Sequence, residues 1–138
     1  MKKLLMGVMV GALFAGIALA AENTEEKQAL QAAGEWLALV DGGKYGESWD
    51  EASTIFKGAI TREQWEQALS NVRTPLGKLV NRKLLGAKYV TELPGAPKGQ
   101  YVVIQFKTDY DNRKGVVETV TPMVDKDQKW RVSGYYVK

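Results

Sequence analysis

The chain has 138 residues, with 19 Lys and Arg, 16 Asp and Glu, and neither histidine nor cysteine, which is room for one domain. Disulfides, thiolate nucleophiles, thiolate metal sites and lipid-bearing cysteines are excluded, and so are Ser-His-Asp and Cys-His couples. What survives is carboxylate, tyrosine, lysine or arginine chemistry, or binding without chemistry, and no cofactor is expected.

Residues 1–20 combine a basic start (Lys2, Lys3), an apolar run from Leu4 to Leu19 interrupted only by Gly7, Gly11 and Gly16, and the small-residue site Ala18-Leu19-Ala20. This pattern predicts a secretory signal peptide whose cleavage leaves one α+β domain over residues 21–138 with no stable membrane span. The expected location is therefore outside the cytoplasm, periplasmic or secreted. Cleavage would leave 118 residues with 17 basic and 16 acidic side chains, so the net charge falls from +3 to +1. At that charge, neither nucleic acid nor acidic lipid has a bulk electrostatic argument as a partner.

Helical spacing follows. Ala29, Leu30, Ala33, Trp36, Leu37 and Val40 form one stripe over residues 23–40, with Asn23 and Glu26 placed to cap it and Asp41-Gly42-Gly43 to stop it. Tyr45, Trp49, Ala52 and Phe56 mark a second helix that ends at Gly58. A third opens with a capping box, Thr61 and Gln64, and a hydrophobic staple, Ile60 and Trp65. Its buried face is Trp65, Ala68, Leu69 and Val72, and Pro75 predicts an end near Arg73.

From Leu79 the apolar period becomes two, which predicts strands over 79–93, 101–110, 116–124 and 129–137. Leu84-Leu85-Gly86 breaks the phase of the first and predicts a bulge or bend there. Three N-terminal helices on a bent four-stranded antiparallel sheet is the expected fold. A turn centred at Asn112-Arg113 sets Lys107 opposite Glu118 and Ile104 opposite Thr121, and a turn at Lys126-Asp127 sets Met123 opposite Trp130. That register puts Val102, Ile104, Phe106, Thr108, Tyr110, Val117, Thr119, Thr121, Met123, Trp130, Val132, Gly134 and Tyr136 on the helix side. A one-residue change in either turn exchanges the faces of a strand.

The runs Trp36-Leu37-Ala38-Leu39-Val40-Asp41, Thr61-Arg62-Glu63-Gln64-Trp65, Arg73-Thr74-Pro75-Leu76-Gly77, Leu93-Pro94-Gly95-Ala96-Pro97, Glu118-Thr119-Val120-Thr121-Pro122-Met123 and Trp130-Arg131-Val132-Ser133-Gly134-Tyr135-Tyr136 closely resemble a family of small exported bacterial proteins. It is known as a domain of unknown function, four-thousand-and-nineteen in its series. The order of helices and strands, with the closing Trp-Arg-Val-Ser-Gly-Tyr strand, also resembles the nuclear-transport-factor-two-like superfamily. That likeness implies a cone in which a bent sheet wraps a cavity capped by helices; a flatter cystatin-like arrangement is the alternative. Neither resemblance implies a reaction.

Two surfaces are singled out. Thr108, Tyr110, Thr119, Thr121 and Tyr136 add hydroxyls to the expected inner face and are the ligand-pocket candidates. Val103, Val120, Pro122, Tyr135 and Val137 make the outer face apolar and are the interface candidates, for a homodimer or an envelope protein partner. Glu118 is read as a surface carboxylate paired with Lys107, which leaves no catalytic residue to name. The alternative function is a small-molecule enzyme that pairs an inward carboxylate with Tyr110 or Tyr136. The aspartates near the turns have no calcium-loop spacing, so no metal site is expected. Lys78, Arg82, Lys83 and Lys88 read as a solvated edge that blocks strand addition.

Overall fold

In a computed structural model, residues 24–138 are described; the signal peptide expected at residues 1–20 and the Asn23 cap lie outside them. The domain has helical segments followed by an antiparallel sheet: α1 (Thr24–Asp41), α2 (Tyr45–Asp50), α3 (Thr54–Ala59), α4 (Arg62–Leu76), then β1 (Leu79–Val90), β2 (Tyr101–Tyr110), β3 (Arg113–Val124) and β4 (Trp130–Val137). The sheet order is β1-β2-β3-β4, so the sheet is open and β1 and β4 are its edges. The expected α+β class holds.

The α1 stripe buries Ala29, Ala33, Trp36, Leu37 and Val40. The helix ends where Gly43 turns to φ 77° and Lys44 N–H bonds the Leu39 carbonyl at 2.9 Å, the wrap that a left-handed glycine permits. The expected second helix is divided at Glu51–Ser53. Ser53 N–H bonds the Val132 carbonyl at 2.9 Å and its hydroxyl caps Phe56 N–H at 3.1 Å, so α3 starts anew against β4. Both halves of the capping box form at Thr61 and Gln64. The α4 helix continues past Arg73 to Leu76, with Pro75 in its last turn: the carbonyl four residues back, on exposed Asn71, is the only one its missing N–H would have served.

Under the helices lies an aromatic cluster. Trp65 meets Phe56 edge-on at 4.9 Å, and Trp36 lies 6.1 Å from Trp65 and 5.3 Å from Tyr135. Buried Ser48 joins two of the indoles: Trp36 Nε1 donates to its carbonyl at 2.8 Å and Trp65 Nε1 to its hydroxyl at 2.9 Å.

The register differs from the expected one by single residues at three places. The β2–β3 turn sets Tyr110 opposite Arg113, and Gly115, at φ 72°, is an extra residue that shifts the pairing before Thr108 meets Val116. Asp109 fixes this glycine bulge by accepting the Gly115 N–H at 2.8 Å. Phe106 therefore faces Glu118, Ile104 faces Val120 and Lys107 faces Val117. Between β3 and β4, Val124 rather than Met123 faces Trp130, which returns Trp130 and Val132 to the helix side. Ser133 and Gly134 then oppose Thr121 alone, and this bulge turns Tyr135 and Val137 inward, with Val120 opposite Tyr135. Pro122, with no N–H to offer a ladder, sits beside the bulge.

The consequence is an exchange of faces on β3 and on the end of β4. Val116, Glu118, Val120 and Pro122 are buried, and Tyr136 is 58% exposed. The expected cross-strand pair of Glu118 with Lys107 does not exist.

Candidate functional site: a saturated carboxylate and an apolar edge groove

The shift of β3 brings Glu118 to the centre of the helix side, where it is fully buried. Its Oε1 accepts from Arg82 Nε at 2.7 Å and Thr108 Oγ1 at 2.5 Å; its Oε2 accepts from Tyr110 at 2.6 Å, Tyr135 at 2.5 Å and Arg82 Nη2 at 3.2 Å. Five donors meet about four lone-pair sites, so the carboxylate has no acceptor capacity left for a substrate proton. Arg82 also reaches Asp41 with Nη1 at 2.8 Å and Nη2 at 3.0 Å, and Arg73 Nη2 bonds the same carboxylate at 2.8 Å. Two carboxylates and two guanidiniums thus cancel, and α1, α4 and all four strands each supply a member. Asp41 stands at the C-terminal end of α1, where the helix dipole disfavours a negative charge and the two arginines offset it.

Arg73 is only 6% exposed, and its Nε and Nη1 find no hydrogen-bond partner among the described residues. The Tyr110 ring lies 4.9 Å from its guanidinium carbon, a cation–π contact that offsets part of the desolvation. Leu76, Val116 and Val137 pack around that ring.

Electrostatics hold Glu118 ionised, Tyr110 and Tyr135 neutral and Arg82 protonated. Burial by itself would raise the Glu118 carboxyl, but the bonds from Arg82, Thr108, Tyr110 and Tyr135 outweigh it and bring the group down to about 2. Burial pushes the Tyr110 hydroxyl up, helped by the neighbouring carboxylate, to about 12. Burial raises Tyr135 further, again with Glu118 adding to it. For Arg82, desolvation works against the charge and is outweighed by Asp41 and Glu118, so it is held more firmly protonated than a free arginine. None of these groups exchanges a proton near neutrality, which is what general acid–base work requires.

The sequence-level site residues are divided by the register. Thr108 and Tyr110 face inward and bind Glu118, whereas Thr119, Thr121 and Tyr136 belong to the other face of the sheet; Thr119 there accepts from Gln105 at 3.3 Å. Of the interface set, Val103 stays on the outer face, and Val120, Pro122, Tyr135 and Val137 turn inward, so the set does not form one exposed apolar patch. Arg82, expected on a solvated edge, instead turns inward to Asp41 and Glu118 with its side chain 13% exposed, and no spacing in the sequence groups Asp41, Arg73 and Arg82. The one local signal for the slip is Gly115, three residues after the turn-forming pair Asp111-Asn112.

A different apolar surface is present at the β4 edge. Trp65, Ala68, Leu69 and Val72 of α4 and Tyr135, Tyr136 and Val137 of β4 line a groove of about 230 Å³. Val72 is 42% exposed and Tyr136 forms the opposite lip. The backbone of the strand is open to this groove. Val117 and Lys138 exchange both their N–H···O bonds, at 3.1 and 2.9 Å, so by the alternation of an antiparallel ladder Tyr136 also bonds toward β3. Tyr135 and Val137 then turn their N–H and C=O groups to the open edge, where no partner is found among the described residues. Further along, the Ser53 bond to Val132 covers the edge. The groove and the cluster share Tyr135, whose ring walls the first and whose hydroxyl closes the second.

Among the described residues no group of three or more carboxylates gathers as a metal site, and no helix is long and apolar enough to cross a membrane. No curated protein and no solved structure matches the chain. Residues 32–135 match the family described as "Protein of unknown function (DUF4019)", and that match spans most of the chain, which therefore belongs to this family.

Proposed function

We propose that the chain is exported to the cell envelope and works there as a non-catalytic binding domain, taking up an extended apolar segment of another polypeptide between α4 and the β4 edge. The observation that carries this reading is the coincidence, at one place, of unpaired strand backbone at Tyr135 and Val137 with an apolar groove beside it. Main-chain bonds to the edge would supply affinity, and alternate side chains dropping onto Leu69 and Val72 would supply selectivity, as in strand addition generally. A volume of about 230 Å³ suits a few side chains better than a drug-sized ligand, whose sites run to roughly 300–1,000 Å³. Export rests on the leader pattern of residues 1–20.

The enzyme alternative has the tyrosine–carboxylate contact it asked for, at 2.6 Å between Tyr110 and Glu118. Saturation of that carboxylate and its depressed pKa argue for a scaffold role instead. The test is to pan a random octapeptide library on the protein in parallel with Ala68→Trp, which fills the groove. Enrichment of peptides with apolar residues at alternate positions, lost on Ala68→Trp, is expected. Equal enrichment on both proteins, or none on either, refutes the reading.

A further inference from the structure

The outer face of the sheet, away from α1 and α4, carries an uneven charge. Alternation along β1 and β2 fixes it: Arg82, Phe106 and Thr108 face the helices, so Lys83 and Lys107 face out, directly opposite each other in the register. Lys83, Lys107 and Lys114 line one depression of about 390 Å³ with Asn81, Asp109 and Gly115, and Lys88 lines a second, of about 490 Å³, with Gly86, Ala87, Val103 and Gln105. Four lysines thus face one carboxylate, Asp109, which is already engaged by the Gly115 N–H at 2.8 Å. None of the four lysines has an ion-pair partner among the described residues. The described residues together have 17 basic and 15 acidic side chains, so this face holds a larger positive excess than all of them combined.

Like charges directly opposite one another destabilise a sheet. Lys83 against Lys107 is such a pair; Asp109, the one carboxylate beside the three lysines of that depression, offsets it only in part, and an external anion would complete the neutralisation. The charges are lysines, compact and on flexible stems with no fork for bidentate recognition. Of the five arginines, which have the fork, Arg62, Arg73, Arg82 and Arg131 are committed to carboxylates elsewhere, and Arg113 is opposite Tyr110 at the β2–β3 turn, off the register positions of this face. Lys83 and Lys88, five residues apart on one strand, stand about 15 Å from each other. Charges spread in this way match a diffuse anionic surface better than a single small anion.

We infer that this face, formed by β1, β2 and the start of β3, docks the domain on an anionic lipid bilayer through Lys83, Lys88, Lys107 and Lys114. The contact is electrostatic and so strongly salt-dependent. It lies on the opposite side of the sheet from the buried Glu118 cluster and uses none of the residues of the edge groove.

The test is co-sedimentation of the full chain with vesicles of phosphatidylcholine alone and of phosphatidylcholine mixed equally with phosphatidylglycerol, at low and at high salt. Residues 1–23 are common to every sample, so the readout is the ratio of partition between the two vesicles. Each lysine near an acidic surface contributes about fivefold in affinity. Lys88→Glu and Lys107→Glu are therefore each expected to lower that ratio by at least about fivefold, with partition to neutral vesicles unchanged. Lys107→Glu places an opposite charge before Lys83, so its thermal midpoint should not fall, and Lys88→Glu gives an independent reading at the other end of the patch. Equal partition to both vesicles, or ratios that ignore both reversals, overturns the inference. Full displacement from acidic vesicles by soluble polyglutamate at matched charge would assign the face to an acidic polypeptide and overturns it as well.

Discussion

Replacing Glu118 by Gln keeps the size of the side chain and removes its charge, which turns a neutral buried cluster into one with an uncompensated positive charge around Arg82. A carboxyl held at about 2 in the folded state, against 4.5 for a free one, corresponds to about 3 kcal/mol at 1.4 kcal/mol per tenfold. Removing one partner of a buried ion pair costs about 3–5 kcal/mol by independent measure, so the two routes agree. The sign follows from linkage. A depressed carboxyl stabilises the fold above its unfolded value, and that contribution is lost as pH falls from about 4.5 toward 2. Glu118→Gln should therefore unfold about 3 kcal/mol more easily at pH 7, a drop of about 12 °C in Tm for a domain of this size. At pH 2 the deficit should largely vanish, because the wild-type carboxylate is being protonated there too. Urea denaturation of both proteins at the two pH values, with equal m-values as the two-state control, reads this directly. A cost that is the same at both pH values, or below about 1 kcal/mol at pH 7, would show that Glu118 is not the ionised hub described above.

Tyr135→Phe removes one donor to Glu118 Oε2 and should cost about 1.5–3 kcal/mol; it should also move the acid-unfolding midpoint to higher pH, since the carboxylate loses part of what holds it down. Ser48→Ala strands the Trp65 indole N–H and should cost about 1–3 kcal/mol by thermal denaturation with the Trp fluorescence blue-shifted or unchanged, not solvent-exposed. Gly77→Ala puts a Cβ 2.9 Å from Asn112 Nδ2 at a backbone with φ 80° and ψ −156°, a region open almost only to glycine, and should cost about 1–3 kcal/mol. Measured by the same denaturation, Gly58→Ala, where a Cβ meets nothing within 4 Å, is the neutral comparison.

Much of the secondary structure is legible in the chain because its signals are local. The capping box at Thr61 and Gln64, the apolar stripe of α1, the glycine stop after Asp41 and the alternation of β2 depend on residues within a turn or two of one another, and each appears in the structure. The α4 end and the split between α2 and α3 were not legible, since both are decided by contacts from elsewhere. Ser53 starts α3 where it meets Val132 in β4, and Asn112 from the β2–β3 turn donates to the Pro75 carbonyl at the end of α4.

The faces of the sheet are the larger lesson. Alternation along β3 is equally consistent with Val117, Thr119, Thr121 and Met123 inside or with Val116, Glu118, Val120 and Pro122 inside, because a period of two has no origin of its own. One extra residue at Gly115 selects the second set, and one more at Ser133-Gly134 carries Tyr135 and Val137 inward after it. Glu118 then moves from a surface pairing to the buried centre, and the outer face changes from an apolar patch to a basic one. The amino-acid sequence by itself settles the α+β class, the family, and the exclusion of thiol and imidazole chemistry, since composition and near-neighbour patterning are properties of the chain. Only the tertiary structure decides which charges are buried together and which are left to solvent. A single-residue bulge costs little locally, yet it inverts every side chain beyond it, and net charge retains no record of where those charges end up.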